Sequence, residues 1–285
     1  MSVLAARPAV AGRRVRPARV LLYAALLLLA GFYLLPVFAI VVASLKSFAE
    51  ASQSTLWELS KAPTLDSYSR ALSQLAPNFL NSVFLAVPAT LLSAFLGSMN
   101  GYVLAKWKFP GANLLFMLLL FGMFIPYQSV LIPLVKFLQI IHLYGGIPGL
   151  ILAHVVYGIP ICTLIFRNYY AGLPTELVEA GRIDGASVLG VYRYILFPIS
   201  IPGFVVVMIW QFTSIWNEFL FAVVLTADVT QRPITVALQN LAGSFLVDYP
   251  LQMAGALLAA LPTLVVYILL GRYFMRGLLA GSLKG

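Results

Sequence analysis

Six stretches of this chain contain no Asp, Glu, Lys or Arg: residues 20–45, 71–105, 109–135, 137–166, 194–217 and 249–271. Each is longer than the ~20 residues an α-helix needs to cross a hydrocarbon core of ~30 Å. In lipid the backbone donors and acceptors must be satisfied within the protein, which favours helices for such stretches. The sequence therefore predicts an all-α membrane protein with six spans, over residues 20–43, 79–104, 112–135, 147–166, 199–220 and 252–272. The interval 71–105 reads as one span with polar shoulders, Pro77-Asn78 at its start and Gly97 to Asn100 at its end. A soluble fold is excluded by composition. Charged residues make up 9% of the chain, against roughly 25% in globular proteins, and hydrophobic residues 61%.

Orientation follows from Lys and Arg. With the N-terminus inside, 13 of the 18 basic residues fall on inner segments, and Lys46, Lys61, Arg70, Lys136 and Arg232 are left outside. This obeys the positive-inside rule and predicts both termini in the cytoplasm of a multi-pass protein of the cell (inner) membrane. Most of the net charge of +9 is this bias. No basic face interleaved with aromatics suggests a nucleic-acid partner, so lipid is the surrounding medium.

Residues 1–19 read as a basic cytoplasmic tail, 20–276 as the six-span domain and 277–285 as a Gly-rich cytoplasmic tail. Arg13-Arg14 ahead of an apolar run can mimic a secretion signal. The run over 20–43 exceeds the usual 7–15-residue signal core, so it reads as a retained anchor. Residues 44–78 predict a small external cap, with Asp66 or Ser67 as the N-cap of the next helix. Pro36, Pro88, Pro126, Pro133, Pro160, Pro202 and Pro262 lie in or near spans and predict kinks. Cys162 is the single cysteine and forms no intrachain disulfide.

Between the fourth and fifth spans lies a polar island, residues 167–198, with six charges: Arg167, Glu176, Glu179, Arg182, Asp184 and Arg193. A charge at the bilayer centre costs ~2.5–3.5 kcal/mol, which places this segment outside the hydrocarbon. Pro174 suits a first helical turn, and Thr175 to Ile183 then reads as a short helix with Glu176 and Glu179 at its positive end. Asp184-Gly185 is a turn signal. Ser187 predicts the cap of a second short helix through Tyr194, broken before Pro198. Ala180, Gly181, Gly185 and Ala186 leave a bare surface that another backbone could approach. The docking reading competes with that of an ordinary interspan loop.

The pattern Glu179-Ala180-Gly181, Gly185, then Ile195-Leu196-Phe197-Pro198 resembles the EAA loop of permease subunits in bacterial ABC importers. It departs from that pattern at Gly181, where Ala is usual, and at Phe197, where Leu is usual. Asn81-Ser82, Tyr102-Val103-Leu104-Ala105, Trp216-Asn217-Glu218-Phe219 and the ending from Gly277 to Gly285 are similar to the maltose-permease branch, in its smaller "G" type. The resemblance implies a coupling helix that fits an ATPase cleft, with Glu179, Ala180, Gly181, Asp184, Gly185 and Ala186 as its contact core. It also implies a tail contact through Leu283, Lys284 and Gly285. The implied assembly has a second permease subunit in a heterodimer, two ATP-binding cassette subunits and an extracytoplasmic sugar-binding protein. The segments 144–148, 157–160 and 166–170 look closest to permeases for glucose or mannose. Di- or oligosaccharides and glycerol phosphate esters are the alternatives.

A sugar path needs hydrogen-bonding groups beside apolar rings. Tyr127, Gln128, Gln211, Trp216, Asn217 and Glu218 are the candidates. The competing readings are interfacial belt aromatics for Tyr127 and Trp216, and capping for Glu218. His154 lies mid-span without an evident acidic partner and reads as structural, as do Thr213 and Ser214. The sequence shows no metal-ligand cluster, no nucleophile–base arrangement and no GxxxxGK[ST] run. The prediction is a transporter subunit rather than an enzyme, with no cofactor of its own, ATP and Mg belonging to the partner ATPase. A secondary carrier would need intramembrane acidic groups for ion coupling, and a membrane enzyme a catalytic constellation.

Overall fold

The computed structural model describes residues 17–241 and 247–282, and no strand occurs among them. The elements in chain order are α1 (Pro17–Ser44), the short α2 (Phe48–Ala51), α3 (Asp66–Lys106), α4 (Ala112–Phe121), α5 (Leu131–Ile140) and α6 (Ile147–Ala171). They continue with α7 (Glu176–Ile183), α8 (Val188–Val191), α9 (Phe197–Ile199), α10 (Ile201–Trp216), α11 (Leu220–Leu225), α12 (Ile234–Leu241) and α13 (Tyr249–Ser282). By length and composition α1, α3, α6 and α13 can each cross a membrane, and two bent pairs bring the count up to six.

The kinks that Pro126 and Pro202 predict in the third and fifth spans take the form of sharp breaks between paired segments. Segments 112–124 and 127–140 meet at 91°, and segments 188–199 and 201–216 at 78°. At the first break Ile125 is extended (φ −71°, ψ 118°), the conformation favoured before a proline. At the second, Ser200 leaves helical geometry and Pro202 lies in the first turn of α10. Pro36, Pro77, Pro88, Pro160 and Pro262 lie inside helices that continue through them. The 41 residues of α3 span ~60 Å at 1.5 Å per residue, about twice a hydrocarbon core of ~30 Å, so the helix is longer than one crossing needs. Pro77-Asn78 is therefore interior to α3. Asp66 is its first residue instead of its cap, and the Asp66 amide donates to Thr64 Oγ1.

At the centre of the bundle α3 packs along α6. A β-carbon added to Gly97 would stand 2.3 Å from Cys162 Cβ, and one on Gly101 2.7 Å from the backbone nitrogen of Arg167. Gly97 and Gly101 form a small-xxx-small pair, which lets two helix backbones approach in lipid. This replaces the reading of 97–100 as a polar shoulder. One apolar core gathers Leu85, Leu138, Leu150, Trp216 and Phe221; a second gathers Tyr102, Phe166, Tyr170, Tyr192 and Leu196. By contrast α1 is exposed along most of its length and meets the bundle through α13. At the end of the bundle away from the polar island, Arg70 donates to Asp248 at 2.7 Å. The side-chain amides of Asn78 and Asn81 both donate to the Arg232 carbonyl.

Candidate functional site

The polar island folds as a hairpin. α7 ends in a paired closure: the Ala186 amide donates to the Gly181 carbonyl at 2.9 Å and the Gly185 amide to the Arg182 carbonyl at 3.1 Å. This closure needs a left-handed residue just past the helix, and Gly185 supplies it with φ +81°. The Ser187 hydroxyl accepts from the Gly190 amide and caps α8. The chain then passes through a π-helical turn, Tyr192–Leu196, directly into α9. Helical structure thus continues past Pro198, the predicted stop, because a proline in the first turn of a new helix loses no needed donor.

Tyrosines bind this hairpin to the spans. Tyr102 of α3 donates to the Val188 carbonyl at 3.1 Å, Tyr169 of α6 to the Ile199 carbonyl at 2.8 Å, and Lys106 to the Leu173 carbonyl at 2.6 Å. Tyr192 donates to Ser98 of α3 at 3.1 Å, and the rings of Tyr102 and Tyr192 stack with centroids 5.7 Å apart. Tyr102, Tyr170 and Tyr192 are all buried.

Glu179, Ala180, Asp184 and Gly185 are exposed on the hairpin and Ala186 is half-buried, so five of the six predicted contact residues share one accessible tip. Gly181 does not join them. It is buried against its own chain, and a β-carbon there would stand 2.6 Å from Ile195 Cδ1. Its small size serves packing inside the hairpin. Sequence reasoning also passed over Ile183, which is 85% exposed at the end of α7. With Leu177, Val188 and Leu189 it gives the tip an exposed apolar patch. The signal was readable: an isoleucine beside Asp184-Gly185 faces water unless something covers it.

The candidate path residues separate. Tyr127, just past the first bend, packs edge-on to Phe221 at 5.5 Å, with Tyr157 at 5.2 Å and His154 at 5.7 Å from the same ring. Glu218 accepts the amides of Phe221 and Ala222 and so caps α11. Its Oε2 also lies 3.8 Å from His154 Nε2. His154 therefore has an acidic neighbour, contrary to the sequence reading. The chain turns back after Trp216, and α11 returns against α5 and α6. Gln211 is buried beside the His154 carbonyl. Trp216 is buried within the bundle. It is 3% exposed, stacks on Phe212 and donates to the Ala259 carbonyl. Asn217 is exposed and donates to the Thr213 carbonyl of its own helix, and Gln128 is exposed. The last helix continues to Ser282, so residues 277–282 extend it, while Leu283, Lys284 and Gly285 lie outside the described residues.

A family model described as the binding-protein-dependent transport system inner membrane component matches residues 95–278. The chain is 47% identical over 274 residues to a "Probable ABC transporter permease protein" of Pyrococcus horikoshii, covering 96% of this chain and 100% of that one. It is 38% identical to a xylose/arabinose import permease of Haloferax volcanii, covering 91% and 92%. A glucose import system permease of Saccharolobus solfataricus is 30% identical, with 92% and 95% covered. In fold it is similar to a chain of a bacterial ABC transporter that imports alginate, with TM-score 0.78 at 21% identity over 91% of this chain and 98% of that one. With its multi-pass helical bundle and these relatives, the chain belongs to the inner membrane component family of binding-protein-dependent transport systems: it is a permease subunit of an ABC importer, working with ATPase and binding-protein partners, and not an enzyme.

Proposed function

We propose that this chain forms half of the translocation path of a carbohydrate importer and converts ATPase motion into alternating access through residues 179–198. The supporting observation is the hairpin's attachment. Its exposed tip carries Glu179, Ala180, Asp184, Gly185 and Ala186, while its base is hydrogen-bonded to α3 and α6 by Tyr102, Tyr192 and Tyr169. A push on such a tip moves two spans together. The assembly is a heterodimer with a second permease subunit, seated on two ATPases that hold ATP and Mg, and supplied by an external sugar-binding protein. Both termini and the hairpin face the cytoplasm, and Leu283, Lys284 and Gly285 add a second ATPase contact. ATP binding draws the ATPases together and opens the path outward; hydrolysis returns it to the inside.

The substrate is a sugar, with glucose or mannose favoured over di- and oligosaccharides. Relatives are named for xylose/arabinose and glucose import. The exposed ring of Tyr127 and the half-buried ring of Tyr157, both packed on the buried Phe221 that follows Glu218, combine apolar faces with an acceptor for hydroxyls. A glycerol phosphate ester fits less well, because a phosphate would meet the Glu218 carboxylate.

The test is reconstitution of the chain with its partner permease, ATPases and binding protein in proteoliposomes. ATP-dependent uptake of glucose or mannose, absent when the ATPases are left out, is the expected result. Uptake without any ATPase would replace this reading with a secondary carrier. ATP-dependent uptake of glycerol phosphate alone would overturn the substrate class.

A further inference from the structure

The inner turn between α3 and α4 lies at the hairpin end of the bundle, since Lys106 reaches the Leu173 carbonyl and Arg182 lies over the Trp107 ring at 5.1 Å. It borders an open cleft of about 470 Å³, lined by Trp107, Lys108, Phe109, Pro110, Ala112 and Asn113 among others. Its electrostatics are one-sided. Lys108 lines it, Arg182 stands over the Trp107 ring of its wall and Lys106 adjoins that wall in sequence, and among the described residues none of the three is ion-paired with a carboxylate. Glu176 is the acid whose field reaches Lys106. Arg167 stacks on Phe116 of α4 at 4.1 Å, one helical turn from Ala112 and Asn113, and its buried Nε has no hydrogen-bond partner. No side chain caps α4, so its first amides add positive potential to the same cleft.

We propose that this cleft holds the phosphate headgroup of an anionic phospholipid. A lipid is favoured over a free phosphate because the surface beside the cleft is apolar. Phe109, Leu114, Leu115 and Leu118 are all exposed along the turn and α4, in position for acyl chains. Basic pockets on the cytosolic side of membrane helices take such headgroups, and Trp107 and Phe109 suit the interface. Arg182 and the Tyr102–Val188 bond connect the cleft to the hairpin, so an occupied cleft steadies the element proposed to dock the ATPase. The inference rests on the reading that the hairpin end is cytosolic.

The test uses the assembled importer in detergent, equilibrated with equimolar phosphatidylglycerol and phosphatidylcholine and examined by native mass spectrometry. Phosphatidylglycerol should be retained preferentially. Lys108→Gln should lower that retention about fivefold, the equivalent of one surface cation, while Lys108→Arg keeps it. Asn113→Asp, which places a negative charge in the cleft, should lower it as well, and the external-cap change Lys61→Gln should not. Equal retention of both lipids would overturn the proposal. So would Lys108→Gln and Asn113→Asp proteins indistinguishable from Lys61→Gln, or displacement of the lipid by millimolar inorganic phosphate alone. ATPase co-purification measured on the same samples reports the hairpin reading separately, because lipid retention needs neither nucleotide nor transport.

Discussion

Tyr192 donates its hydroxyl to Ser98 across 3.1 Å, and this bond opens a chain that leaves the hairpin and returns to it. Ser98 on α3 shares a 2.6 Å bond with Tyr170 on α6, Tyr170 donates to Ser200 at 3.1 Å, and Ser200 donates to the Phe197 carbonyl at 2.9 Å. The π-turn, two spans and the bend before α10 are thus joined in a buried polar relay. In such surroundings hydrogen bonds are strengthened and losing a partner is costly.

Removing the first bond should uncouple before it unfolds. In Tyr192→Phe the ring remains against Tyr102, and Ser98 keeps Tyr170. The stability loss should be about 1 kcal/mol. Sugar taken up per ATP hydrolysed should fall while ATPase binding persists. Unchanged stoichiometry in proteoliposomes would show that the relay carries no displacement.

Gly185 is held by backbone geometry alone. Its φ is +81°, yet a β-carbon there would meet nothing within 4 Å. Gly185→Ala should therefore cost ~1–2 kcal/mol through left-handed strain. Gly185→Asn should recover most of the loss, since Asn visits that region. Equal ATPase co-purification by the Ala and Asn variants would place the constraint elsewhere.

Two glycines that look alike in the sequence should behave differently. At Gly181 the added methyl meets Ile195 Cδ1, the movable end of a side chain. At Gly97 it meets Cys162 Cβ at 2.3 Å and backbone at 2.9 Å, where nothing can give without separating α3 from α6. Gly181→Ala should be nearly neutral, and Gly97→Ala should cost ~1–3 kcal/mol or more by overpacking. Melting temperatures of the two purified variants decide the point.

Ile183 carries no part of the fold at 85% exposure. Ile183→Ser should leave the melting temperature unchanged. If the residue is an apolar anchor in the ATPase cleft, ATPase affinity should drop about 30-fold, the equivalent of ~2 kcal/mol. Co-purification equal to that of the parent would remove Ile183 from the contact.

Much of this architecture was legible because lipid is an intolerant solvent. Each charge-free interval overlaps one of the four long apolar helices or one of the two bent pairs, and Asp184-Gly185 and Ser187 marked the hairpin by local turn and cap chemistry. Pro126 and Pro202 marked kinks beside Ile125 and Ser200, but the size of each bend was hidden, since a window of apolar residues reads the same however far its helix turns. Gly97 and Gly101 carried a readable four-residue spacing whose partner helix could not be named from one chain. The facing of Gly181 depends on where Ile195 returns, and the approach of His154 to Glu218 on the reversal after Trp216. Both are tertiary facts that no local pattern encodes.

The cap formed by the segment between α1 and α3 should open in acid. Its loop is gathered around two charged groups. Lys46 is 1% exposed and donates to Ser54 and to the Thr55 carbonyl. Glu50 accepts from the Lys61 amide at 2.6 Å and from Ser60 at 2.7 Å. These donors, the Lys61 amide foremost, hold the Glu50 carboxyl below its ordinary value of 4.5. A depressed folded-state pKa means that the ionised form is what the cap binds. Its contribution is therefore complete above 4.5 and is lost as pH falls through the lower, folded value. Limited proteolysis of residues 47–65 in the intact protein should be slow at neutral pH and accelerate only below that range. Glu50→Gln keeps the shape but removes the charge, so it should be cleaved at a raised rate that no longer varies with acid. If the parent and Glu50→Gln proteins show the same acid dependence, the carboxylate is not what closes the cap.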